Sequence, residues 1–163
     1  MSLMGLCEWL EMTEFSTGIR ESLYLYGWLH VAHILSISLM FGSIVFLDLR
    51  LIGAGFRKRR VTDLAQQLLP WTWAGYVLMF VSGALIFCSD PVLYYGSKLF
   101  RLKLVLMVLA GLNAMLFHYT TYKTVASWDL DVPPGRAKLT GAISITAWVA
   151  VVFVGRAVGY FSR

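Results

Sequence analysis

LYLYGWLHVAHILSISLMFGSIVFL, residues Leu23–Leu47, decides the fold, because it carries no Asp, Glu, Lys or Arg along its whole length. At about 1.5 Å of rise per residue, a helix of that length exceeds the roughly 30 Å hydrocarbon core of a bilayer. Outward from it lie three more apolar blocks: Trp71–Cys88, Leu104–Phe117 with its flanks, and Leu139–Phe161. A chain in hydrocarbon must satisfy its own backbone, which leaves helices or a closed barrel. A barrel needs short alternating segments between turns, and that pattern is missing from the sequence. Composition agrees, with 58% of residues hydrophobic and 14% charged, where soluble domains carry roughly a quarter charged. The sequence therefore predicts an all-α integral membrane four-helix bundle, one domain over 1–163, with helices at about 23–50, 61–88, 99–126 and 138–161. The first block is too long for a signal peptide and lacks a basic leader and a small-residue cleavage site, so it is expected to remain as a span.

The segments between the blocks set boundaries and orientation. Arg57-Lys58-Arg59-Arg60 follows the first block, close behind Arg50, and Lys123, Arg136 and Lys138 lie between the third and fourth. The positive-inside rule makes both loops cytoplasmic and puts both termini outside. The net charge of +5 then reads as a topology signal with attraction to anionic headgroups, and no nucleic-acid site is predicted. Ser89-Asp90-Pro91 ends the second helix, and Asp129–Gly135 with its paired prolines is a loop. Thr62-Asp63 predicts a cap for a helical lead-in that bends at Pro70. In residues 1–20, Leu3, Leu6 and Leu10 fall at helical spacing with Glu8 and Glu11 elsewhere on the wheel. That pattern predicts a short helix lying in the outer interface. Gly155 and Gly159 form a GxxxG spacing, and Gly42, Gly75, Gly83 and Gly111 are expected to let helices approach in the same way. Cys7 and Cys88 fall on one side, where a disulfide is conceivable in an oxidising compartment, although isolated cysteines of this kind are more often free. The seven methionines show no repeated ligand spacing, so neither a copper site nor a structural metal is expected.

Polar groups inside hydrocarbon are costly, and each is a site hypothesis. His33 lies roughly 15 Å into the first helix, with His30 one turn above it. Asp48 and Arg50 mark that helix's inner end. They are expected to form an inner polar cluster with Gln66, Gln67 or Thr72, since an unpartnered carboxylate there would be desolvated. Arg101 and Lys103 open the third helix, Asn113 sits at its middle and His118 in its inner third, and Arg156 lies near the outer end of the fourth. Arg101, Lys103 and Arg156 also read as cations snorkelling to headgroups. A buried histidine in a membrane most often holds a haem or metal, relays protons, or hydrogen-bonds a neighbouring helix such as at Asn113. Only three histidines exist, and His33 and His118 differ in depth by roughly 10 Å. The arithmetic allows a haem b on His33 without a second histidine. Lys103 and Arg156 would take its propionates, with Trp28 and Phe41 as walls.

Glu8-Trp9-Leu10, Ile19-Arg20-Glu21-Ser22, the stretch His33–Gly53 ending in Leu47-Asp48-Leu49-Arg50-Leu51-Ile52-Gly53, Leu69-Pro70-Trp71-Thr72-Trp73-Ala74-Gly75, Phe100 with Lys103, Leu112-Asn113-Ala114 with Phe117-His118, and Gly155-Arg156 span almost the whole chain. Together they resemble a family of small bacterial four-helix inner-membrane proteins. That resemblance implies the fold and a bacterial inner-membrane location, and carries no activity with it. His33, Gly42, Arg50 and Lys103 are also similar, more faintly, to HemJ-type protoporphyrinogen oxidases and the copper-resistance CopD membrane domain. In the HemJ type a first-helix histidine is a haem-ligand candidate and a third-helix lysine a signature residue, which map onto His33 and Lys103. This chain has Asp48 where that type tends to have proline, and Asn113 near its histidine.

Two functions follow as expectations. One is a b-type haem protein moving electrons in the membrane, to or from quinone. The other is a haem-free structural or accessory subunit of a larger membrane complex. A carrier or channel is disfavoured, because no helix has a continuous polar face.

Overall fold

The computed structural model describes residues 2–161, and these form helices without a strand. Four helices are long and apolar enough to cross a membrane: α3 (Leu23–Ile52), α4 (Val61–Ser89), α6 (Lys98–Leu116, continued by tighter and looser turns to Ser127) and α7 (Gly135–Phe161). Three short helices gather at one end: α1 (Leu3–Glu11), α2 (Glu14–Glu21) and α5 (Pro91–Gly96). Serine and threonine start several of them. Ser2, Thr13, Ser22 and Ser97 each accept a hydrogen bond from a backbone amide three residues on, satisfying one of the four free N–H groups at a helix start. At the far end of α3, Gly53 takes a φ of +84° and its amide reaches back to Leu49 and Arg50. A side chain there would be strained, so glycine ends the helix.

α3 is central: it packs against α4 and α7, and α6 packs against α7. At the α3–α4 crossing, a Cβ added to Gly75 would stand 2.7 Å from the Met40 amide nitrogen, so only glycine allows this approach. Gly141 of α7 approaches α3 nearly as closely: a Cβ there would stand 3.1 Å from the Asp48 carbonyl oxygen, tighter than an ordinary contact. The expectation for Gly42, Gly111 and Gly159 does not hold, since nothing lies within 4 Å of a Cβ at any of them. Met40, Met79, Ala110, Trp148 and Val151 meet at mid-bundle, and Leu51, Val61, Val125, Trp128 and Ala137 form a second cluster under the loops. Outward, the apolar side chains are bare: Leu23 is 92% exposed, Phe153 73% and Leu116 64%. Contiguous apolar surface of this kind needs lipid or protein over it.

Three sequence expectations need correction. The N-terminal segment makes two helices, and it braces the α4–α5 corner. Ser16 Oγ and Arg20 Nη1 both donate to the Ser89 carbonyl at 3.3 Å, Arg20 lies 3.8 Å from Asp90, and Glu11 accepts from the Val92 amide at 3.0 Å. The start of α4 is held by a distant residue in place of a Thr62-Asp63 cap, and the helix continues past Pro70. The Asp129 carboxylate accepts from the Thr62 amide at 2.9 Å and from the Thr62 hydroxyl at 2.6 Å. The third span loosens after Leu116 into a π turn (Phe117–Thr121) and a 3-10 turn (Tyr122–Ser127). There Thr120 and Thr124 turn their hydroxyls back onto the Leu116 and Thr121 carbonyls, competing with the regular helical ladder. Cys7 and Cys88 are both free thiols.

Candidate functional site

His33 faces inward from α3 toward α4. Its Nδ1 lies 2.9 Å from Ser82 Oγ. The Ser82 hydroxyl has a single proton, which it gives to the Leu78 carbonyl at 2.6 Å, with the Met79 carbonyl at 3.2 Å. With its proton on Nδ1 the ring donates to Ser82, and the Met79 carbonyl also accepts from the ring. Gly83 makes the room: a Cβ there would stand 3.1 Å from His33 Cε1. The histidine thus hydrogen-bonds across helices at Ser82, and Asn113 is not its partner. Asn113 instead donates to the Thr140 carbonyl of α7 at 3.1 Å.

Lys103 and His30 are the titratable groups that act electrostatically on the His33 ring. The Lys103 stem lies along Gly155, where an added Cβ would meet Cε at 3.5 Å and Nζ at 3.6 Å. So Gly155 of the GxxxG pair seats a lysine and does not join two backbones. The Lys103 ammonium makes no hydrogen bond among the described residues. Arg156 does not converge on this pair: it is exposed, its Nη2 donates to the Tyr160 hydroxyl at 3.0 Å, and its guanidinium stacks on that ring at 4.6 Å. His30 Nδ1 bonds the Tyr26 carbonyl at 3.0 Å. His30 and Arg156 line a shallow hollow of about 250 Å³ with Tyr26, Tyr94 and Gly159. His118 lies outside the bundle interior, stacked on Tyr122 with centroids 5.4 Å apart. Trp28 points outward at 68% exposure and walls nothing; Phe41 packs on the mid-bundle core.

The expected cluster around Asp48 and Arg50 is not formed. Gln66 and Gln67 are exposed, and Thr72 donates to its own Leu68 carbonyl. Arg50, 1% exposed, turns away from Asp48 into the loops. Its Nε donates to the Arg59 carbonyl at 2.9 Å, and its Nη2 to the carbonyls of Asp129 at 2.9 Å and Asp131 at 3.4 Å. Asp48 faces α7, where the Ser144 hydroxyl bonds its carboxyl, and its Oδ2 is buried without a hydrogen-bond partner. Backbone carbonyls outcompete the carboxylate for Arg50 because two loops need closing there.

Ser82 and Ser144 carried no sequence signal beyond being small polar residues in apolar helices. Their spacing of four from Leu78 and Thr140 marks only that such hydroxyls can bond their own helix. Among the described residues no three His, Cys, Asp or Glu side chains gather as a metal site. Comparison with protein-family models, curated proteins and solved structures finds no match for this chain.

Against a haem, the residues fit in part. A ligating histidine commonly gives its second ring N–H to a neighbour that fixes its orientation, which is what Ser82 does for His33. Lys103 is at hand for a carboxylate. Arg156 is committed to Tyr160, and His33 lines neither the hollow beside His30 nor the one at the loop end.

Proposed function

We propose that this chain is a multi-pass protein of a bacterial inner membrane, with both termini outside, that holds a b-type haem through His33 as its single histidine ligand. The observation that carries the reading is the His33–Ser82 bond, which orients an imidazole inside an apolar bundle within electrostatic reach of the Lys103 ammonium. Lys103 would take a propionate, a charge-assisted contact worth more here than in water. When bound, the haem supplies one-electron exchange, with quinone or a larger membrane complex as the counterpart. The protein's own part is to orient the imidazole through Ser82, to exclude water with the Met40–Met79–Trp148 core and to neutralise a carboxylate with Lys103. The resemblance of His33 and Lys103 to the HemJ-type pair supports the same reading.

The test is a visible spectrum of the purified protein. A Soret band is expected, abolished by His33→Ala with the protein still inserted and folded. Wild-type protein without haem absorbance, even after haem supplementation during expression, sinks the proposal. Orientation is tested by cysteines introduced at 57–60 and at the C-terminus: in intact cells only the latter should label from outside.

A second reading, a haem-free accessory subunit, is favoured by α6. Leu102, Val105, Val108, Leu109 and Leu112 leave its outer face bare, a surface suited to docking on a larger complex. Co-purification of a stoichiometric partner by a haem-free protein would decide for it.

A further inference from the structure

The loop end of the bundle carries a second hollow, of about 340 Å³, between the end of α3 and the Asp129–Gly135 loop. Three cations line it, Arg50, Arg57 and Lys138, against a single carboxylate, Asp131. Arg50 is held rigidly by its bonds to the Arg59, Asp129 and Asp131 carbonyls, which use Nε and Nη2. Its Nη1 makes no hydrogen bond among the described residues, so a fixed donor remains on a buried side chain at the wall. Arg57 is tied by its Nε to the Gly53 carbonyl, and Lys138 stands on the first turn of α7. Beside these cations the rim is apolar and bare: Leu130 is 55% exposed and Val132 75%. A surplus of fixed positive charge next to exposed aliphatic side chains has the polarity of an anionic lipid, phosphate in the hollow and acyl chain on the rim.

We propose that this hollow binds a phosphate group, carried by the headgroup of an anionic phospholipid. Arg50 presents Nη1 to a phosphate oxygen, Arg57 and Lys138 neutralise its charge, and Leu130 with Val132 meets the first methylenes of the chain. A free phosphate ion would use the same cations but gain nothing from the two aliphatic side chains. The proposal rests on the membrane reading above and is independent of haem.

The experiment titrates the full-length protein in neutral detergent with short-chain phosphatidylglycerol, short-chain phosphatidylcholine or inorganic phosphate, reading the thermal unfolding midpoint. Phosphatidylglycerol should raise the midpoint saturably and phosphatidylcholine should not. Lys138→Gln, and Arg57→Gln with Lys138→Gln, should weaken the apparent affinity progressively, on the order of 10-fold for the pair. Lys58→Gln, outside the lining, should leave it unchanged. Inorganic phosphate giving the same shift at the same concentration keeps the site and assigns it to a free anion. Equal shifts with both lipids, or an unchanged titration in Lys138→Gln and the pair, overturn the proposal. Release of the protein from membranes by alkaline carbonate would sink the membrane reading instead, and is scored separately from the titration.

Discussion

Arg50 and Lys103 are both cations turned into the same bundle, one at each end, and their surroundings differ in kind. Arg50 is 1% exposed and gives its Nε and Nη2 to three loop carbonyls, which leaves only Nη1 toward the hollow. Lys103 lies half-buried along Gly155 with no hydrogen bond among the described residues, within electrostatic reach of the His33 ring. A buried charge held in place by backbone carbonyls is part of the architecture, whatever else its remaining donor serves, because the carbonyls need it as much as it needs them. A charge left uncommitted within reach of an imidazole is unexplained by architecture, and such groups are where a ligand is expected. The contrast also covers the carboxylates. Asp129 is satisfied by the Thr62 amide and hydroxyl, whereas Asp48 keeps an oxygen without a partner in the bundle.

The contrast breaks most readily at Arg50. Arg50→Met strips three hydrogen bonds from loop carbonyls and leaves the inner end of α3 without its tie to both loops, which should cost roughly 3 kcal/mol, lowering the thermal midpoint and opening the 57–60 loop to protease. Lys103→Met loses no hydrogen bond and should stay within about 1 kcal/mol of the parent. Equal losses from the two would erase the distinction between the ends. A smaller effect sharpens the other end: Ser82→Ala should cost about 1 kcal/mol and release the ring, so that nitrogen-15 spectra of His33 show mixed tautomers. A single Nδ1–H tautomer in that variant would mean that Ser82 does not orient the ring.

The smallest effect is at Asp129. Partial burial pushes its carboxyl up, but the Thr62 hydroxyl and amide, the Val61 amide and the Arg60 charge outweigh it and hold it below the ordinary aspartate value of 3.8. A lowered folded value stabilises the fold fully above the unfolded value and loses that contribution as pH falls through the folded one. The stability difference between wild type and Asp129→Asn should therefore be flat near neutrality and shrink below about pH 4. A difference unchanged down to acid pH would show that the helix cap does not depend on the ionised carboxylate.

Much of the architecture was legible in residue order. Leu23–Leu47 and its three counterparts hold runs of apolar side chains too long for anything but full-length helices, and this depends on composition and the 1.5 Å rise alone. Ser89-Asp90-Pro91 marked the end of the second span because proline restricts the backbone locally. His33 and Lys103 stood out by sequence since a polar group in an apolar run is visible without coordinates. What surrounds them was not. Ser82 is 49 residues from His33, Asp129 is 67 from Thr62, and Arg50 reaches carbonyls 79 and 81 residues on. A backbone carbonyl has no sequence signature, so the competition that drew Arg50 away from Asp48 could be decided only once the loops were packed. Helix count and span length follow from short-range terms that each segment carries by itself. Partner choice among buried polar groups follows from which helices touch and how close glycine lets them come, and that belongs to the tertiary structure.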